Sequence, residues 1–99
     1  MITNEKVLDV FKDYLSQDSE YEVVLTSHGY TVMCWNSKGE EWFSAQYCKT
    51  PHDLLNALLA AYENYLQDLI THSDRDLTEQ EAQEVQNKKN AMKQKCQAD

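Results

Sequence analysis

Apolar residues near the start of the chain recur at spacings of three and four: Val7, Leu8, Phe11, Tyr14 and Leu15. That is the period of a helix with one buried stripe, and it predicts a helix over residues 4–16. Thr3 or Asn4 can cap it, because either side-chain oxygen can accept a free backbone N–H. After the polar break Ser16-Gln17-Asp18-Ser19 the period changes to two. Residues 20–27, 30–36 and 41–48 alternate and are rich in β-branched and aromatic types, which predicts three strands. His28-Gly29 separates the first two. Ser37-Lys38-Gly39-Glu40 separates the second and third, with Gly39 free to take positive φ. Three strands joined by short turns make an antiparallel meander.

The helical period then returns. Thr50 suits an N-cap and Pro51 the first helical position, where a missing N–H removes no bond. The helix they open runs to about Thr71, with a broad stripe of Leu54, Leu55, Leu58, Leu59, Tyr62, Leu66, Leu69 and Ile70. A polar linker, His72 to Asp76, follows. Thr78 and Glu81 have the spacing of a capping box ahead of a last helix over about residues 79–95. Its apolar content is thin (Ala82, Val85, Ala91 and Met92), so it is expected to pack loosely, to fray after about Lys88, or to gain order from a partner. The fold class is therefore α+β: a three-stranded antiparallel meander packed by helices, in the order α-β-β-β-α-α. Residues 1–99 form a single domain, with 86–99 as the segment expected to fray.

Alternation divides each strand between two faces. Tyr21, Val23 and Leu25 share one face of the first strand. Tyr30, Val32 and Cys34 lie opposite Met33 and Trp35 on the second. Phe43, Ala45 and Tyr47 lie opposite Trp42, Ser44 and Gln46 on the third. One face of each strand can meet the helices, which leaves large apolar groups such as Met33, Trp35 and Trp42 for the other. A two-residue Lys38-Gly39 turn sets Trp35 opposite Trp42. A bulged turn with Gly39 left-handed sets Trp35 opposite Glu41 instead. Turn type fixes register, and the sequence leaves both open.

Charge narrows the functional classes. The net charge is −8, from 17 acids and 9 bases. Residues 1–85 hold 16 acids and 5 bases, a net −11, while residues 86–99 hold four lysines against Asp99, a net +3. An acidic body repels phosphates and anionic lipids and attracts basic surfaces. Lys88, Lys89, Lys93 and Lys95 form the one basic stretch, so direct nucleic-acid binding is not expected. The opening Met-Ile-Thr-Asn-Glu-Lys has no apolar core region, and no 18-residue apolar run occurs, so an intracellular, non-membrane protein is expected. Cys34, Cys48 and Cys96 are an odd number with no disulfide-framework spacing and read as buried or idle thiols.

Catalytic chemistry finds no constellation. His28, His52 and His72 are far apart and lack metal-ligand spacing with any cysteine. With Gly29 and Gly39 the only glycines, there is no phosphate-cradling loop and no nucleophile elbow. A non-enzymatic protein with no cofactor and no metal is expected. The remaining feature is acidic: Glu20 and Glu22 at the first strand, Glu40 and Glu41 at the hairpin tip, and Asp74, Asp76, Glu79, Glu81 and Glu84 around the start of the last helix. Acids in a first helical turn have a structural cause in the macrodipole. The two at the hairpin tip do not. They make a compact negative finger suited to a basic cleft built for a phosphate backbone.

The tip pattern, Asn36-x-x-Gly39-x-Glu41-Trp42, with the preceding acid Glu20 and the acidic segment Asp74 to Glu84, resembles small acidic phage anti-CRISPR proteins that inhibit type II CRISPR effector nucleases. Lys38 departs from that pattern, standing where the family carries an acid. The resemblance implies a DNA mimic in a bacterial host cytoplasm that occupies the nuclease's site for the protospacer-adjacent motif. Gly39 would let the tip approach closely. Glu40 and Glu41 would meet the Arg and Lys side chains that read the DNA motif. The implied partner is the nuclease–guide RNA complex, met by a monomer or weak homodimer. The alternative from the residues alone is a general interaction or assembly module that uses the Trp35/Trp42 face or the last helix.

Overall fold

The computed structural model describes residues 1–98. Its elements are α1 (Asn4–Gln17), β1 (Tyr21–Thr26), β2 (Gly29–Asn36), β3 (Glu41–Tyr47), α2 (Pro51–Thr71) and α3 (Glu79–Gln97). The strands form one antiparallel sheet in the order β1-β2-β3. The fold is thus α+β in the order that the hydrophobic pattern predicts.

The helix starts are set locally. Of the two candidate caps for α1, Thr3 takes the role: its Oγ1 accepts the Lys6 N–H at 3.1 Å. Thr50 does the same for Asp53 at 3.1 Å, with Pro51 just inside α2. At α3 the capping box closes in both directions. Glu81 N–H donates to Thr78 Oγ1 at 3.2 Å, and Thr78 N–H donates to Glu81 Oε1 at 3.0 Å. Each bond satisfies a backbone donor that the helix cannot satisfy itself.

The helices pack on one face of the sheet. Phe11, Leu54, Leu55, Leu58, Val7 and Cys96 are fully enclosed, and Val32 of β2 joins the same core. Tyr14, Tyr62 and Tyr65 extend it through edge-to-face ring contacts, with Tyr14 5.1 Å from Tyr62 and 5.2 Å from Tyr65. The Cα extents are 40 × 38 × 19 Å. A thickness of 19 Å holds a sheet and one helix layer of about 10 Å, and no third layer. The second face of the sheet is therefore open.

The last helix is continuous to Gln97, through the segment where fraying is expected, with Cys96 0% exposed in the core beside α1 and α2. Cys96 was missing from the apolar count of that helix, yet a thiol packs as a small hydrophobe. The third strand, by contrast, is exposed along its whole length, Glu41–Tyr47. Its helix-side positions are Ser44 and Gln46, which offer no apolar group to bury.

Candidate functional site: the open sheet face and its acidic end

The register decides what the open face presents. Cross-strand partners share a face. Val32 is paired with Val23 and Gln46, and Cys34 with Tyr21 and Ser44, on the helix side. Met33 is paired with Glu22 and Ala45, and Thr31 with Val24 and Tyr47, on the open side. Trp35 stands opposite Trp42, as a two-residue turn requires, but the register shifts between Cys34 and Trp35. Phe43 is the extra residue of that bulge. The shift brings Trp42 to the side of Trp35, and the two indoles meet edge to face with centroids 5.0 Å apart. On the other flank the Trp35 N–H donates to the Glu20 carbonyl. Glu20, Trp35 and Trp42 thus form one cross-strand row. Beyond it β3 stays uncovered, with Trp42 42% exposed, Phe43 64% and Tyr47 51%.

The hairpin tip is ordered by Asn36. Its Oδ1 accepts the N–H groups of Lys38 at 3.1 Å and Gly39 at 3.4 Å, an Asx turn. The left-handed residue is Glu40, with φ 51°, and not Gly39 as the sequence suggested. Gly39 serves by lacking a side chain. A Cβ there would lie 3.1 Å from Glu41 Oε1 and 3.3 Å from Asn36 Nδ2. Glu40 and Glu41 are exposed, with Lys38 beside them.

The entry to β1 is held by Asp18. Its carboxylate accepts the Tyr14 hydroxyl at 2.6 Å and the Glu20 N–H at 2.9 Å. Burial first, and the Asp18 hydrogen bond second, push the Tyr14 phenol well above its ordinary pKa. Asp18 and Glu20 share a depression with Gln17, Tyr65, Asp68 and His72, so the ends of α1 and α2 lie beside the start of β1. His72 and Ser73 turn the chain with φ 52° and 61°, and Ser73 Oγ donates to Asp68 Oδ1 at 3.2 Å. The linker that carries Asp74 and Asp76 therefore leaves from the same end of the molecule.

The acids of that linker are not equivalent. Asp74, Asp76 and Glu79 are exposed. Glu81 receives both guanidinium arms of Arg75, at 2.7 and 2.9 Å, as well as the Thr78 N–H. The Arg75 hydrogen bond, followed by the Thr78 backbone bond, holds its carboxyl down at about 2. Glu81 is engaged in capping and charge pairing, whereas Glu20, Glu40 and Glu41 stand at or beside the open face. Among the described residues no hydrogen bond or ion pair joins the linker acids to the hairpin tip.

Opposite this end, Met1, Ile2, Pro51, His52 and Gln97 meet. Helix α3 runs antiparallel to α2, with Lys89 Nζ 3.1 Å from Glu63 and Lys93 level with Asn56. Lys95 lines a depression with Asp13 and Gln17 of α1. Asp18 and Asp68 belong to the acidic end although sequence reasoning did not select them. They are fifty residues apart, and only the fold brings them together.

Burial raises the pKa of the Cys34, Cys48 and Cys96 thiols, which disfavours reactive thiolates. Among the described residues no group of three His, Cys, Asp or Glu is arranged to hold a metal ion, and no helix is long and apolar enough to cross a membrane. Comparison with protein-family models, with curated proteins and with solved structures finds no match to this chain.

Proposed function

We propose that the open sheet face and its acidic end bind a basic protein surface, and that the chain is a non-enzymatic inhibitor that competes with DNA for that surface. The observation that carries this reading is the Glu20–Trp35–Trp42 row on an uncovered face, with Glu40 and Glu41 at the adjoining tip. Aromatic groups at the centre of a contact exclude water, and the acids around them then pair with cations at reduced dielectric. The target class that fits is the motif-reading site of a CRISPR effector nuclease, where Arg and Lys side chains await DNA. The protein would take the place of the phosphate backbone and base edges there.

The test is binding of the full chain to a purified nuclease–guide RNA complex at low and high salt, with motif-bearing duplex DNA as competitor. Glu40→Gln/Glu41→Gln is expected to weaken binding by about tenfold or more, chiefly through the on-rate, with an unchanged circular dichroism spectrum. Unchanged affinity in that variant rejects the DNA-competing reading.

The ring contact and exposure of Trp42 favour a second reading, a general interaction module centred on the aromatic pair. In that case Trp42→Ala weakens capture far more than loss of the two acids, and salt has little effect.

A further inference from the structure

Strand β1 is one free edge of the sheet: among the described residues no strand lies on its outer side. Its backbone groups divide by alternation. The Trp35 N–H donates to the Glu20 carbonyl, so Glu20 faces β2, and Glu22 and Val24 follow it at every second position. The N–H and C=O groups of Tyr21, Val23 and Leu25 therefore point outward. The side chains of the same three residues lie on the helix side, where they form one wall of a groove of about 610 Å³. Leu8 and Leu15 of α1 form the other wall, and Tyr30 stands beside Leu25. Most of these side chains are only half-buried against the core, and Leu25 is 66% exposed. The apolar interior thus opens sideways along β1. Nothing in the strand blocks its edge. It carries no lysine or proline and pairs with β2 without a bulge, whereas β3 has one at Phe43.

We infer that β1 and this groove take an extended, alternately basic and apolar segment of another protein as a fourth strand of the sheet. The occupant follows from the residues of the edge. Outward N–H and C=O groups at every second position match an extended polypeptide backbone. A strand laid there alternates its own side chains. Those beside Tyr21, Val23 and Leu25 enter the groove and must be apolar. Those between them fall beside Glu20 and Glu22 on the open side, where a lysine or arginine gives a favourable cross-strand pair. Lys12, at the α1 rim of the groove, is held by Asp9 at 3.3 Å, so it does not call for an acid in the segment. A second copy of β1 is a poor occupant, because it would bring two more glutamates to this edge and no cation.

The test is titration of the isotopically labelled full chain with a capped 6-residue peptide, the length of β1, in which lysine and isoleucine alternate. Saturable binding is expected, with slowed hydrogen exchange at the amides of Tyr21, Val23 and Leu25 and little change at Glu22 and Val24, which already face β2. A peptide of the same composition with its lysines in one block should bind about tenfold more weakly, since it cannot fill the groove and meet the glutamates together. Glu22→Lys and Leu25→Asp should each weaken the alternating peptide about tenfold, and Glu22→Lys should favour a peptide with glutamate in place of lysine. Both side chains are exposed, so the parent circular dichroism spectrum should be kept in each variant. Absence of binding up to about 1 mM overturns the proposal. So does equal binding of the blocked peptide, unchanged affinity in Glu22→Lys, or binding that leaves the three outward amides exchanging as before. A dimer of the chain alone that protects those amides would give the edge to a second copy and overturn it as well. No nuclease enters the experiment, so failure here leaves the DNA-competing reading standing.

Discussion

At the scale of single residues, the acidic side chains of this protein do different work according to their partners. Glu81 and Glu41 are alike in sequence terms, each a glutamate close to a turn. Glu81 closes a capping box and holds Arg75, while the hydrogen bonds of the tip are made by Asn36 and not by Glu41. The difference has a pH signature. The folded-state pKa of Glu81 lies at about 2, below its ordinary 4.5, so its contribution to stability is present above about pH 4.5 and is lost as the pH falls towards 2. Thermal melts of Glu81→Gln against the parent should differ most near neutrality and converge at the acid end of that window. A gap that stays constant down to pH 2 would contradict the assignment. The pairing of Arg75 with Glu81 was not legible in the sequence. The capping-box spacing was, but a six-residue separation between Arg75 and Glu81 carries no pattern until the linker folds.

Among the elements, α3 and β3 depart furthest from expectation, in opposite directions. Helix α3 has few aliphatic side chains, yet Val85 and Cys96 are both buried, about three helical turns apart. Cys96 belongs to the core, with Met92 packed against it. Cys96→Ser buries a hydroxyl in a fully enclosed apolar site and should cost about 1–3 kcal/mol. Hydrogen exchange in that variant should quicken across the last turns of α3 first, while the α3 start, held by its capping box, stays protected. Uniform acceleration over the entire chain would instead mean that α3 has no separate docking step. Strand β3 has the opposite character. Its aromatic residues suggest burial, and the sheet order leaves it outside the helix layer. Periodicity marks which residues share a face, but it does not say which faces find a partner.

For the molecule as a whole, the governing feature is a gathering of acids. The ends of α1 and α2, the start of β1 and the acidic linker meet at one end, with Asp18, Glu20 and Asp68 around one depression. Carboxylates of like sign held together repel, and salt screens that repulsion within about 10 Å at 0.1 M. Raising the salt from low to physiological concentration should therefore raise the melting temperature of the isolated protein, although it weakens the Arg75–Glu81 pair. A fall in melting temperature would place the dominant electrostatic term in the ion pairs instead. The same salt increase should weaken binding to a basic partner, so stability and binding are expected to move in opposite directions.

The sequence by itself determined the order of elements, the caps of α2 and α3 and the meander, because these rest on interactions between residues a few positions apart: side-chain period, a Thr oxygen near a free N–H, a proline at a helix start. It also placed Trp35 and Trp42 within reach of each other, through a turn whose two alternatives differ by one residue. The tertiary structure decided between those alternatives by placing a bulge at Phe43 and the left-handed conformation at Glu40. It alone decided that Cys96 closes the core, that one sheet face stays open, and that Asp18, Glu20 and Asp68 stand at one end. Such outcomes depend on which surfaces meet across tens of residues, and a helix or strand carries in its own sequence the shape of its apolar side but not the identity of what covers it.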